Sequence, residues 1–229
     1  MSLYAIGDTH LSFGCAKPMD VFGGRWENYV EKLREGLSVL TDDDVCVICG
    51  DVSWGMSLQQ ALPDFQFLDS FPGRKLLIKG NHDYWWSTRS SMESFLTANG
   101  LRTLEFLHNS CSFYGDTALC GTRGWFYEEE KGEAHDRKIM LREVGRLEAS
   151  LRLAGDAPKI CFLHYPPKYD NYECPELLEL MERYSVQRCI YGHIHGYGHA
   201  RAFCGTCRGV DFALASADYL SFRPLKLIE

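Results

Sequence analysis

Short apolar segments of this chain repeatedly end at a glycine, and an aspartate, asparagine or histidine follows. Apolar runs of four to eight residues bounded by turn signals are typical of buried strands. The glycines that end four of these segments are Gly7, Gly50, Gly80 and Gly192, and they permit sharp exits from a sheet. The polar residues that follow predicted strands are Asp8, His10, Asp51, Asn81, His82, Asp83, His164, His193 and His195. In open α/β sheets ligands bind beyond the C-terminal strand ends, so we expect these side chains to converge.

The rest of the pattern predicts an alternation of strands and helices. We predict strands at residues 3–6, 45–49, 75–78, 104–107, 111–114, 117–120, 159–163, 187–191, 209–214 and 225–228. Apolar residues at three- and four-residue spacing predict helices near residues 26–40, 58–68, 87–98 and 129–154. Pro63 should break or bend the second helix, and the three strands within residues 104–120 should follow one another as hairpins do. This order indicates a layered α/β fold with one mixed sheet or two packed sheets.

Length and composition favour one domain over residues 1–229, because no linker-like stretch interrupts the chain. Hydrophobic residues make up 45% of it and aromatic residues 13%, which is enough for a packed core. The formal net charge of −7 and the lack of a basic cluster argue against extended nucleic acid and anionic membrane as partners. Nothing in the sequence indicates an obligate protein partner.

The sequence also favours a reducing, cytoplasmic location. The N-terminus has no basic segment followed by a long apolar one, as a signal peptide would. The longest apolar runs fall far short of the roughly 20 residues that a membrane-spanning helix needs. Most of the ten cysteines are expected to be small buried residues, since a chain with this many core residues does not need disulfides.

The polar set has the chemistry of a metal site. Asp8, Asp51 and Asn81 offer oxygen atoms, and His10, His164, His193 and His195 offer imidazole nitrogens. Mixed N/O ligands without thiolate suit Mn²⁺, Fe²⁺ or Zn²⁺. Seven protein ligands are too many for one tetrahedral ion but fit two neighbouring ions about 3.5–4 Å apart. Each short motif alone is more often a polar turn or cap, so the prediction depends on their joint occurrence at strand ends.

Five short motifs follow the predicted strands, namely Asp8-Thr9-His10, Gly50-Asp51, Gly80-Asn81-His82-Asp83, His164 and Gly192-His193-Ile194-His195. Together they resemble the signature of calcineurin-like metallophosphoesterases. The wider segments around them resemble a bacterial branch of predicted phosphohydrolases. The resemblance runs from the first strand to residue 196. It implies a four-layer α/β/β/α sandwich of two mixed sheets flanked by helices. It further implies one ion held by Asp8, His10, Asp51 and His195, and a second held by Asp51, Asn81, His164 and His193, with Asp51 bridging. His82 would lie near the leaving group, with Asp83 holding its orientation.

The function that the resemblance implies is hydrolysis of a small phosphomonoester or phosphodiester by metal-activated hydroxide. The protein Ser/Thr phosphatases of this superfamily carry an arginine shortly after the second motif, whereas this chain continues Val52-Ser53-Trp54, which argues against that class. The alternative is a catalytically silent metal-binding scaffold of the same fold, although such proteins tend to lose ligand histidines. Ser-His-Asp hydrolysis and nucleotide binding lack their motifs here.

Further residues carry weaker predictions. Arg123, Trp125 and His199 are candidate substrate contacts, with an ion pair to the acidic run at residues 128–130 as the alternative for Arg123. Residues 122–154 form either a cap over the site or a packed outer helix.

Two remaining motifs are better explained by packing or stay open. Among Tyr84, Trp85 and Trp86, at least two are expected to pack in the core, and the others to line the site. Cys204 and Cys207 have half of a zinc-knuckle spacing, but a structural zinc or redox role is the less favoured interpretation.

Overall fold

The computed structural model describes residues 1–125 and 133–229. Its strands in chain order are β1 (Leu3–Ile6), β2 (Val45–Ile48), β3 (Arg74–Leu77), β4 (Leu104–Phe106), β5 (Cys111–Tyr114), β6 (Thr117–Thr122), β7 (Lys159–Leu163), β8 (Lys168–Tyr169), β9 (Tyr172–Glu173), β10 (Val186–Tyr191), β11 (Gly205–Cys207), β12 (Val210–Leu214) and β13 (Leu225–Ile228). Its α-helices are α1 (Tyr29–Leu37), α2 (Leu58–Asp69), α3 (Arg89–Ala98), α4 (Glu133–Leu153) and α5 (Pro175–Arg183).

Two mixed sheets form the centre of the molecule. The first has the order β13-β1-β2-β3-β4 and the second the order β11-β12-β10-β7-β6-β5. Strands β1 to β4 are parallel, with β13 antiparallel at one edge. In the second sheet β12, β10, β7 and β6 are parallel, and β11 and β5 are antiparallel edges. Parallel strands all end on the same side, so each sheet delivers its polar residues to one edge.

The packing explains why the parallel strands are almost wholly apolar. In β2, Val45 and Val47 face the second sheet, whereas Cys46 and Ile48 face the helices, because successive strand residues point to opposite faces. The core between the sheets includes Leu3, Ala5, Val45, Val47, Leu76, Leu119, Ile160, Phe162 and Ile190. Helices α1, α2 and α3 cover the outer face of the first sheet, and α4 and α5 cover that of the second. The result is the four-layer α/β/β/α sandwich.

Backbone hydrogen bonds join the two sheets where their strands end. The Gly7 N–H donates to the Ala215 carbonyl at 2.6 Å, and the Ala217 N–H donates to the Gly7 carbonyl at 3.0 Å. The Ala215 N–H in turn donates to the carbonyl of Tyr191 at 2.7 Å. The end of β1 is therefore held against the ends of β12 and β10, which brings residues of both sheets to one place.

The structure corrects two details of the predicted local structure. Helix α2 continues through Pro63, and buried side chains lie both before it, at Ala61, and after it, at Phe65. Packing against the first sheet therefore outweighs the hydrogen bond that proline cannot make. Strands β5 and β6 form the expected antiparallel hairpin. Strand β4 does not join it, because it pairs in parallel with β3 in the other sheet.

Helix α4 forms most of the segment for which a cap and a packed outer helix were the two predicted alternatives. Helix α4 packs through Met140, Leu147 and Leu151 on the outer face of the second sheet, so its described part is an outer helix. Residues 126–132, which include part of the predicted segment, lie outside the described residues.

No helix in the described ranges is long and apolar enough to cross a membrane. All ten cysteines fall within those ranges and are free, most of them buried, as predicted.

Candidate metal centre

Seven strand-end residues approach one another where the two sheets meet. Asp8 and His10 follow β1, Asp51 follows β2 and Asn81 follows β3, whereas His164 follows β7 and the last two histidines follow β10. Two groups have potential ligand atoms within 4.8 Å of one another, namely Asp8, His10 and His195, and Asp8, Asp51 and His164. The predicted convergence is thus present, and it draws on both sheets.

In the first group, two imidazoles face each other. His10 Nε2 lies 3.4 Å from His195 Nε2, and Asp8 Oδ1 lies 3.5 Å from the same His195 nitrogen. Two neutral imidazoles whose Nε2 lone pairs meet repel each other unless a proton or a cation lies between them. The geometry therefore fits a shared cation.

Asp51 connects this group to the second one. Its Oδ2 lies 3.7 Å from His10 Nε2 and 3.6 Å from His164 Nε2. Asn81 Oδ1 approaches His164 Nε2 to 2.6 Å. Asp51 thus lies between both sets of donors, in the place where a bridging carboxylate would be.

The outward nitrogens of two histidines are fixed by acceptors behind them. His164 Nδ1 lies 3.0 Å from the carbonyl of Cys49, and His195 Nδ1 lies 2.8 Å from Asp218 Oδ1. A ring that donates from Nδ1 presents the lone pair of Nε2, which is the arrangement usual for metal-binding histidines. Both rings therefore present Nε2 to the centre.

Asp218 is a functional residue that the sequence analysis missed. Besides His195, its carboxylate accepts the Gly196 N–H at 3.0 Å and lies 3.2 Å from His199 Nε2. Asp218 follows β12, so the rule of polar residues after strands would have found it. The intervening residues 215–217 lack the glycine that marks the other motifs.

His193 joins the centre by its backbone and its ring. Its N–H donates to both carboxylate oxygens of Asp8, at 3.0 and 2.9 Å. Its ring lies 5.1 Å from that of His164, centroid to centroid, and 4.4 Å from that of Tyr165. Tyr165 is thus a further neighbour of the centre that the sequence did not indicate.

The backbone at these positions is strained. Left-handed φ angles occur at Asp8 (58°), His10 (45°), Asp51 (50°) and His193 (72°). Such conformations are costly for residues with a side chain and cluster at functional sites, where they place a side chain that the strand direction alone would not.

Close approach explains two of the glycines. A Cβ on Gly80 would lie 2.1 Å from both the backbone nitrogen and Oδ1 of Asp51, and one on Gly192 would lie 2.5 Å from Asp8 Oδ2. Neither glycine has a positive φ. Their role is to leave room for the carboxylates rather than to turn the chain sharply.

Electrostatics show that the centre attracts positive charge. Burial, followed by the charge of Asp8, raises the pKa of Asp51 well above its usual value. For His195, burial opposes the charged form, but Asp8 and the hydrogen bond to Asp218 outweigh it and raise the pKa to about 10. The buried carboxylates of Asp8 and Asp218 therefore favour a proton on the His195 ring. A divalent ion at this place would neutralise their charge better than a proton does.

His82 lies beside the centre and is partly exposed. Its ring centroid is 4.3 Å from that of Trp54 and 5.8 Å from that of His10. Its backbone N–H, not its ring, donates to Asp51 Oδ1 at 2.8 Å. Burial, followed by the charge of His164, lowers the pKa of His82 to about 4. The Trp54 indole, which follows the second motif, thus lies between the rings of His10 and His82, at 5.0 and 4.3 Å between centroids.

The Asp83 carboxylate, which was predicted to orient the ring of His82, has hydrogen bonds to other groups. Asp83 Oδ1 accepts the Val52 N–H at 2.9 Å and the indole N–H of Trp85 at 3.1 Å, and Oδ2 accepts the Gly80 N–H at 2.7 Å. The carboxylate is therefore used to hold the loops after β2 and β3 together. The hydroxyl of Tyr84, not Asp83, lies near His82 Nδ1, at 3.5 Å.

The sequence matches the family model described as calcineurin-like phosphoesterase over residues 1–197. The chain belongs to that family. No curated protein matches it. Among solved structures, a phosphopantetheinyl hydrolase from Mycobacterium tuberculosis aligns at a TM-score of 0.60 and 14% identity, covering 99% of this chain and 95% of that one. A protein of unknown function from Aquifex aeolicus aligns at 0.51 and 16% identity, with 98% and 95% covered. At these identities the two structures support the fold alone.

As a calcineurin-like phosphoesterase, the chain has residues that fit divalent metal ions. Its two Asp/His groups contain only oxygen and nitrogen donors, and their carboxylates are buried. The facing nitrogens of His10 and His195 support the same conclusion. Among the described residues, Cys204 and Cys207 join no such group.

Two of this phosphoesterase's predicted substrate contacts, Arg123 and Trp125, adjoin the segment that carries His164, because the His164 N–H donates to the Arg123 carbonyl at 3.1 Å. Trp125 is 3% exposed and packs on Tyr165 beneath α4, so its placement argues against contact with substrate. Arg123 lies over the Trp125 ring, and its Nη2 is 3.6 Å from Oε1 of the buried Glu143. The alternative partners proposed for Arg123, at residues 128–130, lie outside the described residues.

The third predicted contact, His199, lies behind the metal centre of this phosphoesterase. Its approach to Asp218 links it to His195, which favours an indirect role over direct contact with substrate. Of the aromatic run, Trp85 is buried and Trp86 packs beside it, whereas Tyr84 is exposed, as the sequence predicted.

Proposed function

We propose that this phosphoesterase hydrolyses a small phosphomonoester or phosphodiester with two divalent ions, Mn²⁺ or Fe²⁺ first and Zn²⁺ as the alternative. The observation that carries the proposal is the position of Asp51 between His10 and His164. It supports assigning Asp8, His10, Asp51 and His195 to one ion, and Asp51, Asn81, His164 and His193 to the other. When bound, two such ions supply charge neutralisation at the phosphoryl oxygens and lower the pKa of water.

The chain's own residues would orient the reaction. Asp218 and the Cys49 carbonyl hold the rings of His195 and His164 so that Nε2 faces the centre. His82 lies on the open side, where it can pass a proton to the leaving oxygen. An anionic phosphate beside His82 raises the pKa of its imidazole, which is the direction that general-acid catalysis requires.

The partners and location follow the same proposal. An acidic chain is suited to a small phosphoester rather than to extended nucleic acid or a membrane. Free, buried cysteines are compatible with a reducing cytoplasm. The related scaffold hypothesis is less favoured, because the sequence keeps all four of the histidines that such proteins tend to lose.

The test is metal analysis of the purified protein together with assays on mono- and bis-nitrophenyl phosphate after addition of Mn²⁺. We expect turnover that a chelator abolishes and Mn²⁺ restores, with the preferred ester identifying a phosphatase or a phosphodiesterase. Asp51→Asn should abolish turnover of both esters, because each of the two proposed ions loses an anionic ligand. Asp44→Asn is the matched control, since Asp44 is buried at the opposite end of β2. No turnover with any divalent ion would favour the scaffold.

A further inference from the structure

A cavity of about 500 Å³ opens directly beside the metal centre. His10, His82 and His195 form one of its walls. The organic group of a phosphoester bound at the centre would therefore lie either in this cavity or in solvent.

The rest of the lining is apolar and largely aromatic. Met19 and Trp26 form its buried part, at 7% and 6% exposure. The Trp26 ring lies 5.5 Å from the ring of His195, edge to face. The floor of the cavity is thus continuous with the rings that line the metal centre.

The rim carries two aromatic side chains that pack against little else. Phe22 is 71% exposed and Tyr197 is fully exposed, and both line the cavity. Large apolar side chains kept in water beside a concave site are characteristic of ligand-binding grooves. A neighbouring hollow of about 320 Å³ shares Phe22, Trp26 and Tyr197 and adds Arg25 and Asp218. The apolar space therefore ends at two charged residues, and Arg25 Nη1 donates to the Asp218 carbonyl at 3.2 Å.

We propose that the leaving group of the substrate is a flat aromatic ring system bound between Phe22 and Tyr197 at the rim and Trp26 at the floor. Aromatic walls favour planar rings over chains, because edge-to-face and offset contacts add to the apolar area buried. This inference rests on the proposed hydrolase function and narrows it to aryl-bearing phosphoesters rather than sugar phosphates or short alkyl phosphates.

The test compares 2-naphthyl phosphate with phenyl phosphate, which share the aryl ester and differ in ring size, and with octyl phosphate as an apolar chain. We expect kcat/KM for the naphthyl ester to exceed that for the phenyl ester about 5- to 30-fold, and octyl phosphate to gain no such advantage. The double variant Phe22→Ser/Tyr197→Ser should lose most of the naphthyl preference. Both side chains are exposed, so the variant should fold. Phe113→Ser, at an exposed aromatic on β5, should keep the preference.

A binding measurement separates this inference from the hydrolase function. 2-Naphthol carries no phosphate, and its own fluorescence reports binding without metal or turnover. We expect the parent protein to bind it and the double variant to bind it about 5- to 30-fold more weakly. If all esters are inert while 2-naphthol binds in this manner, the hydrolase proposal fails and the cavity assignment stands. The assignment would be overturned if the parent protein showed no preference for the naphthyl ester. It would also be overturned if the double variant kept both the naphthyl preference and the 2-naphthol affinity of the parent.

Discussion

At the scale of single residues, two neighbours in one motif have different tasks. His82 is partly exposed beside the centre, whereas Asp83 is buried and accepts backbone N–H groups from two loops. The motif therefore combines a residue suited to chemistry with one that fixes the backbone. Substitutions at these adjacent positions should be separable by stability and by activity.

His82→Ala should reduce turnover of an alkyl phosphate by about 10²–10⁴-fold and that of nitrophenyl phosphate much less, because only a poor leaving group needs the proton. The measurement is kcat for both esters in the variant and in the parent. His135→Ala, at an exposed histidine on α4, is the control and should change neither value. Equal losses on both esters would rule out proton donation to the leaving group.

Asp83→Asn should instead lower the free energy of unfolding by about 1–3 kcal/mol. An amide that keeps its oxygen toward Val52 and Trp85 turns its NH₂ toward the Gly80 N–H, so two donors face each other. Urea denaturation measures the effect. Asp42→Asn, at an exposed acid, should stay within about 0.5 kcal/mol. An Asp83 variant as stable as the parent would contradict the backbone role.

Sequence alone could identify the strand-end residues but not the contacts behind them. Asp8, Asp51 and Asn81 were predictable because each follows an apolar run and a glycine. Asp218 orients His195, which lies 23 positions away in the sequence, and the Cys49 carbonyl orients His164, which lies 115 positions away. Both contacts form only when the chain folds and brings these segments together. No local pattern reports such contacts.

At the scale of secondary structure elements, strands were predicted well and their pairing was not. The apolar runs mark β2 and β7 within one residue. That β4 joins the first sheet and β5 the second depends on long-range pairing that a local pattern does not contain. Strands β8 and β9 have two residues each, too few for an alternation. Helix α5 was not predicted, although the sequence contains two signals for it. Pro175 is typical of a first helical turn, and four apolar side chains form the buried face of the helix.

Pro63→Ala tests how much α2 loses to its proline. The new N–H can donate to the carbonyl of Gln59, four residues earlier, and alanine favours the helix. We expect the free energy of unfolding to rise by about 1–3 kcal/mol in urea denaturation. Gln66→Ala, exposed on the same helix, should change it by less than about 0.5 kcal/mol. A destabilised Pro63 variant would show that packing of the ring outweighs the restored hydrogen bond.

At the scale of the whole molecule, metal ions should stabilise the fold as well as serve catalysis. A ligand that binds only the native state stabilises it by about 2.7 kcal/mol at 100 times its Kd. We therefore expect Mn²⁺ to raise Tm in parent protein and in Asp44→Asn but not in Asp51→Asn, measured by thermal unfolding. If Mn²⁺, Fe²⁺ and Zn²⁺ all leave Tm unchanged, the ligand assignment is wrong.

The hydrogen bonds of Gly7 to the segment after β12 also bear on how the protein is made. Asp8, Asp51 and Asn81 belong to the N-terminal half of the chain, and His164 and His195 to the second half. A chain still emerging from the ribosome therefore carries only half a set of ligands. The full set forms only when the ends of β7 and β10 meet the ends of β1, β2 and β3. Metal loading would therefore report completed assembly of both halves, and the bound ion would oppose their separation.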